Sequence, residues 1–578
     1  MSRKKEQDYA DVLPDEERED DTREQTDRGG SLRTVRKDRG LILLLAIIGI
    51  LAVLLVWSCL QLFHLPPAAD KGGRTGGESG TALPAETEDV PALAAPEDML
   101  PDRLRLGELI PDARIQNEQG EVIQIMDLAA ESENGIWIFF WASWCPDCTK
   151  QFGILKGMES LAKEYGVTLV MTDRLEAGKE TREAALEKLR EFGSESACWF
   201  DPDRECYDSF GMHEIPGSVM VDRQGRVTAL CSGIKTAGEY RGLLDCARNG
   251  RDAAGKNYML TRFSAGDGGI RTSDLPGPEA PSGTDVLSES QGLLMMYALE
   301  TEQRDLFDSA WQYTRTRMIR NGLPAWYVTE EGETAAVNAL TDDLRIWYAL
   351  RRAGEKWNGE YEEEAEQLRG AIRDQCLNGE NGYVDYTDLT TGTRAGTIAL
   401  CYLDPVILQE IAGEDPRLAA AAEKGTRLVT EGFISSGFPL YYGSWSYETG
   451  RYSDAAIHTA EALCTLWNLS RAGLLREESL KWLRDRVAEG NLAARYEVSG
   501  ERIRGYEYHS TAVYGLAALI AMEAGDRDLR EEALRRMDRL RVWDTENPKY
   551  GAYAPKKGEI RAFDQLIQLL VNGRMMGE

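Results

Sequence analysis

The sequence has too few basic residues for a protein that binds nucleic acid. Its 578 residues include 67 Lys and Arg against 97 Asp and Glu, a formal net charge of −30. Such a surplus of negative charge repels a phosphate backbone, which excludes a DNA- or RNA-binding role. Cysteine is also scarce, with 10 in the whole chain, so a scaffold held together by disulfides is excluded. Glycine and proline are too infrequent for a fibrous or wholly disordered chain, and most of the sequence should fold.

One long hydrophobic run stands out from this globular composition. Residues 41–63 carry no charge, and at about 1.5 Å per residue they form about 34 Å of helix, enough to cross a hydrocarbon core of roughly 30 Å. Because Arg33, Arg36, Lys37 and Arg39 precede the run, we expect a cytoplasmic N-terminus and an extracytoplasmic bulk. A cleaved signal peptide is the alternative, but its apolar region is normally only about 7 to 15 residues. The sequence therefore predicts a single-pass cell-membrane protein that contacts the lipid bilayer through residues 41–63.

The remaining length divides into two segments without a core and two folded domains. Residues 1–40 are rich in charge, and residues 64–102 are rich in Pro, Ala, Gly and Glu without apolar periodicity. Neither segment can bury enough surface to fold, so we predict a disordered cytoplasmic tail and a disordered linker. The folded domains are expected at residues 103–250 and 254–578.

The first folded domain carries two cysteines in a setting that suits thiol-disulfide exchange. The apolar run GIWIFFWA predicts a buried strand, and Cys145-Pro146-Asp147-Cys148 and a helical pattern follow it. A cysteine at a helix N-terminus has its thiolate stabilised by free N–H groups and the helix dipole. We therefore predict that Cys145 is the nucleophile and that Cys148 resolves the mixed disulfide. Half a zinc site or a structural disulfide are the alternatives, but later Cys and His residues lack paired ligand spacing, and we expect no metal or cofactor.

The segment FFWASWCPDC resembles the active site of the thioredoxin superfamily, and the membrane-anchored setting is similar to its TlpA-like reductases. The resemblance implies an α/β thioredoxin-like fold in which a cis-proline faces the cysteines. Ile215-Pro216 precedes two β-rich runs and matches this position, which gives Pro216 the role of docking the substrate backbone. The implied partners are a protein disulfide and an unidentified electron donor.

Two positions depart from this family pattern. Phe139 stands where thioredoxins commonly hold a buried Asp, and Gln151 stands where some TlpA-like reductases carry a Glu. No carboxylate is therefore placed to take the proton from Cys148. Asp147 between the cysteines raises the cost of a thiolate, which favours a reductase over an oxidase.

The second folded domain consists of a repeated helical unit. A more charged helical segment follows most of the apolar ones, which predicts six helical hairpins in a closed ring. The apolar segments recur about every 52 to 58 residues, and they begin near Ser288, Thr341, Ala395, Ser453, His509 and Arg561.

Loops between these segments are unusually aromatic. The apolar face of a sugar stacks on an aromatic ring while its hydroxyls bind charged side chains, so these loops indicate saccharide binding. The alternative is that the rings fill the interior of the ring of helices. The residues predicted to contact the saccharide are Trp326, Tyr442, Trp445 and Tyr452.

The segment DVLSESQG at 285–292 resembles the SEGQ-type segment of glycoside hydrolase family 8, an all-α (α/α)6 toroid of inverting enzymes that act on β-linked polysaccharides. The resemblance makes Glu289 the general acid and places Asp342 or Asp343 on the substrate. The run from Tyr452 to Ala455 approximates the segment that supplies the base, which gives Asp454 that role. An acidic residue in a first helical turn also stabilises the helix dipole, which is the structural alternative for all four carboxylates.

Together these observations predict a multidomain protein with a single transmembrane helix, an α/β thioredoxin-like domain and an all-α (α/α)6 toroid. We expect it to combine a thiol-disulfide oxidoreductase with an inverting hydrolase of a β-linked polysaccharide. The alternative is a redox protein whose toroid is a non-catalytic module that binds a glycan or a partner.

Overall fold

The computed structural model describes residues 104–577 apart from 203, 278–279, 508–509 and 556–558. The tail, transmembrane helix and linker predicted at 1–40, 41–63 and 64–102 lie outside the described residues. Within the described part, no helix has the length and the apolar character needed to cross a membrane.

The first domain is built on a seven-stranded mixed sheet with the strand order β2-β1-β5-β4-β3-β6-β7. Strand β4 pairs in parallel with β3 and β5, while β6 runs antiparallel to both β3 and β7. The strands are β1 Arg114–Gln116, β2 Val122–Gln124, β3 Ile136–Trp141, β4 Thr168–Asp173, β5 Cys198–Phe200, β6 Gly217–Val221 and β7 Val227–Ser232. The helices are α1 Ile125–Glu131, α2 Pro146–Glu164, α3 Arg182–Phe192, α4 Glu205–Ser209 and α5 Ala237–Asn249.

The central strand β3 is the apolar run that the sequence marks as buried. All of its six residues are buried, because helices cover both faces of the sheet. Helix α2 begins at Pro146, whose missing N–H has no partner to lose in a first turn, and Cys145 is its N-cap. Strand, cysteine pair and helix therefore follow in the predicted order.

The second domain is a closed ring of helices. Each inner helix contacts the next, and the last one packs against the first, so the ring closes. The inner helices are α7 Ser288–Glu300, α9 Leu340–Lys356, α11 Pro405–Ala412, α13 Thr459–Arg471, α15 Ala512–Ala524 and α17 Ala562–Gly577. The outer helices are α6 Ala253–Arg262, α8 Arg304–Tyr313, α10 Glu362–Gln375, α12 Pro416–Glu431, α14 Glu477–Glu489 and α16 Arg527–Leu540.

Each of the six predicted apolar segments leads into one inner helix, but two of these helices begin later than expected. Helix α11 begins at Pro405 because Asp404 caps it by accepting from the N–H groups of Val406 and Ile407. Helix α13 begins at Thr459 because the residues before it form short strands.

The loops between the helices of the toroid contain eleven short strands, a π-helical turn at Thr314–Met318 and a 3-10 turn at Leu400–Tyr402. The strands are β8 Val286–Leu287, β9 Ile319–Arg320, β10 Leu323–Pro324, β11 Tyr327–Val328, β12 Thr397–Ala399, β13 Phe433–Ser435, β14 Phe438–Tyr441, β15 Ser444–Ser446, β16 Arg451–Tyr452, β17 Ile457–His458 and β18 Arg495–Tyr496.

The two domains are in direct contact. Buried Arg251, in the short connection between them, donates to the carbonyl oxygen of Thr228 in β7 at 3.1 Å. It also donates to Asp538 of α16 at 2.5 and 3.2 Å and to Asn572 of α17 at 3.2 Å. On α5, Gly238 and Gly242 lie one turn apart against the loop that follows α16. A Cβ on Gly242 would lie 2.0 Å from the carbonyl oxygen of Trp543, so this position has no room for a side chain.

Candidate functional site

The two cysteines of the CPDC motif lie at the N-terminus of α2. The Sγ of Cys145 accepts a hydrogen bond from the N–H of Cys148 at 3.2 Å. The relative exposure of Cys145 is 5% and that of Cys148 is 0%, so an approaching disulfide meets Cys145 first. Burial, reinforced by the neighbouring thiol, raises the pKa of Cys148 well above its usual value. This arrangement suits a nucleophile that is slightly exposed and a resolving thiol that is fully buried behind it.

The predicted proline faces these cysteines. The Ile215-Pro216 bond is cis, and the thiol of Cys145 donates to the carbonyl oxygen of Ile215 at 3.7 Å. The structure therefore brings Cys145, Cys148 and the Pro216 loop together.

The two positions that depart from the family pattern have structural roles here. Phe139 is buried in the core of the first domain. The buried side chain of Gln151 donates to the carbonyl oxygen of Lys235 at 2.9 Å and accepts from its N–H at 2.8 Å. Gln151 thus joins α2 to the loop between β7 and α5.

A pair of carboxylates beside the redox motif escaped the sequence analysis. Glu180 accepts from the N–H and the hydroxyl of Ser143, two residues before Cys145, at 2.9 and 2.5 Å. Burial and the negative charge of Glu180 raise the pKa of Asp173, the last residue of β4, to about 8. Both residues lie outside the CPDC motif, and only the parallel pairing of β3 with β4 places Asp173 beside Trp141.

In the toroid, Glu289 and Asp342 lie close together at the N-termini of neighbouring inner helices. Glu289 is the second residue of α7 and Asp342 the third of α9. Burial, and then the negative charge of Asp342, raises the pKa of Glu289 to about 7. Asp342 accepts from the hydroxyl of Ser288 at 2.6 Å and from Arg345 at 3.3 Å, which hold its carboxylate beside Glu289.

Asp343 and Asp454 differ from this pair in their surroundings. Asp343 is fully buried, accepts from Asn338, and contacts the thiol of Cys376, so it faces the protein interior. Asp454 is exposed and precedes the first residue of α13 by five positions, which corrects the expectation that it begins an inner helix.

The charged groups that shift the pKa of Glu289 most are those of Asp342, Arg345, Asp564 and Arg561.

The predicted aromatic residues form two separate groups. Trp326 is 37% exposed, and its carbonyl oxygen accepts from the N–H of Ser288 at 3.0 Å, so it lies next to the Glu289 helix. Tyr442 stacks on Tyr452 with ring centroids 5.2 Å apart, and Trp445 meets Tyr452 edge-on at 4.8 Å. These three half-buried rings pack on one another, as expected if part of the aromatic content fills the fold.

Other residues near Glu289 were missed from the sequence. Burial raises the pKa of Tyr402, and the neighbouring Cys401 and the carboxylates of Asp342, Asp385 and Glu289 add to the shift, so Tyr402 shares the electrostatic surroundings of the acidic pair. Asp564 is the third residue of α17 and adds to the shift of Glu289. Aligning the apolar repeats would have found Asp564, because it occupies the same helical position as Asp342.

The cysteines outside the motif carry free thiols in the described part of the chain. Cys198, Cys206 and Cys246 are buried, and Cys231 is half-buried. In an oxidising compartment Cys198 with Cys206 and Cys231 with Cys246 could each form a disulfide or stay as free thiols, and all four are free thiols in this structure.

The fold and the two sites define a thioredoxin-like domain joined to a six-hairpin (α/α)6 toroid. Residues 106–230 match the model of the AhpC/TSA family, and residues 275–395 match that of glycosyl hydrolases family 8. The chain thus joins a thioredoxin-like domain to a toroid similar to glycosyl hydrolases family 8, as the sequence motifs predicted.

Three relatives are similar to one part of the chain or the other. The putative lipoprotein YdaJ of Bacillus subtilis (strain 168) is 25% identical over 328 residues, which are 56% of this chain and 86% of that protein. The thiol-disulfide oxidoreductase ResA of Bacillus thuringiensis (strain Al Hakam) is 23% identical over 143 residues, which are 25% of this chain and 79% of ResA. A solved structure described as a novel alpha-amylase from Clostridium perfringens is 27% identical, covers 56% of this chain and 97% of its own, and has a TM-score of 0.52.

Proposed function

We propose that residues 103–250 form a thiol-disulfide reductase and that residues 254–578 form a glycan hydrolase. Residues 41–63 would anchor the protein in the membrane, with both domains on its extracytoplasmic side. The observation that carries the redox half is the position of Cys145, capping α2 with its sulfur on the N–H of Cys148 and opposite Ile215-Pro216. The similarity to ResA, a thiol-disulfide oxidoreductase, supports it.

The redox reaction proceeds by two exchanges. The Cys145 thiolate attacks one sulfur of the substrate disulfide, and the second substrate sulfur leaves as a thiolate that takes up a proton. Cys148 then gives up its proton and attacks Cys145 Sγ, which releases the first substrate sulfur as a thiol. Two electrons pass to the substrate, and the Cys145–Cys148 disulfide that remains is reduced again by an external dithiol donor.

The glycan half is carried by Glu289. Its pKa near 7 keeps a large share of this carboxyl protonated at neutral pH, which a general acid requires. Glu289 donates its proton to the glycosidic oxygen as the bond breaks, and a second carboxylate takes a proton from the water that adds to the sugar. Asp342 lies beside Glu289 and orients the substrate, Trp326 offers a ring to stack on a sugar, and Asp454 stays the proposed base.

A non-catalytic toroid is the second candidate. The exposed position of Asp454, five residues before its inner helix, favours this reading, because an inverting site needs a base across the cleft from the acid. Such a toroid would bind a glycan through Trp326 without cleaving it.

One experiment tests both halves. The full-length chain is incubated with β-linked glucans and xylans and with starch, since one relative is an alpha-amylase, and reducing ends are measured beside the reduction of a peptide disulfide. Glu289→Gln should abolish the release of reducing ends and leave disulfide reduction unchanged, while Cys145→Ser should do the reverse. Binding of a glycan with no release of reducing ends by the unmodified chain would instead establish the non-catalytic toroid.

A further inference from the structure

The loop between β4 and α3 contacts the turn that leads into the redox motif. This turn spans Ala142–Cys145, and the N–H of its last residue donates to the carbonyl oxygen of its first at 3.1 Å. Of its two middle residues, Ser143 donates its N–H and its hydroxyl to Glu180 of the loop. The ring of Trp144 lies under Lys179 of the same loop, whose Nζ is 4.6 Å from the ring centroid. The loop therefore supports the turn from which the nucleophilic cysteine extends.

A second carboxyl group lies next to Glu180 in the interior of the domain. Asp173 has a relative exposure of 0%, and its Oδ1 accepts from the N–H of Leu175 at 2.7 Å. Its Oδ2 and the Oε1 of Glu180 are both buried without a hydrogen-bond partner in the part of the chain that the structure describes. The two side chains are within hydrogen-bonding reach of each other. Because two carboxylates can only accept, this contact requires a proton, and one proton would satisfy both oxygens.

The surroundings of Asp173 favour its protonated form at neutral pH. Burial and then the negative charge of Glu180 raise the pKa of Asp173 to about 8, and the nearby guanidinium of Arg174 opposes this shift only in part. The other titratable and charged groups on this side of the sheet are the thiol of Cys198 in β5 and, around that thiol, Glu118 and Arg182.

We propose that Asp173 and Glu180 are positioning residues of the reductase, which share one proton and thereby keep Ser143 and the following Cys145 in place. The inference rests on the proposed redox function and adds to it two residues outside the CPDC motif. When Asp173 releases its proton to water, two negative charges face each other at hydrogen-bonding distance. Glu180 is only half-buried, so it moves toward solvent and the turn loses this support above about pH 8.

Asp173→Asn keeps the contact and removes its titration. The side-chain oxygen of Asn still accepts from Leu175, and its NH₂ group donates to Glu180 at every pH. The measurement is the rate at which Cys145 attacks a peptide disulfide, divided by its rate of alkylation with iodoacetamide, which corrects for the fraction of thiolate. In the original full-length chain this ratio should fall at least about tenfold from pH 7 to pH 9.5, because a displaced nucleophile reacts far more slowly. In Asp173→Asn the ratio should stay constant.

Amide exchange at Ser143 tests the contact without any disulfide. After correction for the intrinsic dependence of exchange on pH, its protection in the original chain should fall at least about tenfold over the same range. Protection should persist in Asp173→Asn and be low at every pH in Glu180→Ala, which has no carboxylate to accept from Ser143. Glu187→Gln is the control, because it removes an exposed carboxylate from α3 and should behave as the original chain does.

The inference is overturned if the ratio and the protection stay constant in the original chain, if Asp173→Asn loses them at the same pH as the original chain, or if Glu180→Ala behaves like the control. Failure of the proposed redox function has a different signature. In that case no peptide disulfide is reduced at any pH, while the protection of Ser143 still follows the expected pattern, and the carboxyl pair is a structural support without a reductase to position.

Discussion

Glu289 carries the pH dependence of the proposed hydrolase. Burial and Asp342 raise its pKa to about 7, and the general acid must be protonated to act. The glycan-cleaving rate should therefore be retained on the acidic side of this value and fall about tenfold per pH unit above it. The measurement is kcat/KM for a cleaved glycan between pH 5 and 9.

The variant Asp342→Asn tests whether Asp342 is a cause of the raised pKa of Glu289. Removing the negative charge beside Glu289 should lower the pKa of Glu289 and move the alkaline limb of the profile to lower pH. A limb that stays in place in this variant would mean that another group supplies the proton.

The sequence analysis predicted those functional residues that stand in recognisable motifs. It missed the residues whose neighbours are brought together only by the fold. Cys145, Pro216 and Glu289 stand in runs whose chemistry can be read locally. Glu180 and Asp173 stand in no motif, because their surroundings come from segments far away in the chain. Asp454 was placed by a degenerate motif, and its surroundings differ from those expected.

Helix α2 depends on one side chain for its contact with the loop between β7 and α5. Gln151→Leu removes the partner of both the N–H and the carbonyl oxygen of Lys235, and an unpaired buried backbone group costs about 1 to 3 kcal/mol. We expect the Lys235 amide to exchange at least about tenfold faster in hydrogen–deuterium exchange, since about 1.4 kcal/mol corresponds to a factor of ten.

Lys150→Leu is the control for this prediction, because Lys150 precedes Gln151 on the exposed side of the helix and pairs with exposed Asp147. Equal exchange rates at Lys235 in the Gln151 variant and the original chain would show that other contacts hold the loop.

Periodicity predicted β3, the helix after the CPDC motif and the six apolar segments of the toroid, but not the limits of every helix and not all of the other elements. The apolar run of β3 and the six repeated segments carry strong signals. Helix α11 begins later than predicted because Asp404 caps it at Pro405. Helix α13 begins later because Ile457 and His458, just before it, pair as β17 with β18. Such pairing is a tertiary effect that a local pattern does not contain.

At the scale of the whole molecule, a buried ion pair between Arg251 and Asp538 lies at the junction of the two domains. Arg251→Met leaves Asp538, whose side chain is 13% exposed, without its cation, and breaking such a pair costs about 3 to 5 kcal/mol. We expect calorimetry of the full-length chain to show the unfolding transitions of the two domains further apart than in the original protein.

Arg241→Met is the matched control, because Arg241 joins the same two domains through an exposed pair with Glu546 and should cost at most about 1 kcal/mol. Identical thermograms for both variants would show that the buried pair does not couple the domains.

The contact between the domains was the least predictable part of the fold. Sequence patterns indicate each domain by its own periodicity, while the interface is formed by isolated residues such as Arg251, Asp538 and Trp543. Nothing in the spacing of these residues indicates that they meet, so this contact could not be expected.

The paired glycines of α5 have an evolutionary consequence. In a reductase domain without an attached toroid, the residues after α16 would not be present to set this steric limit. In this chain, a side chain on Gly242 would strike the backbone of Trp543 and separate the domains. A reductase domain from another protein could therefore replace this one only if it carried glycine at the positions of Gly238 and Gly242. The two domains of this chain are thus constrained to evolve together.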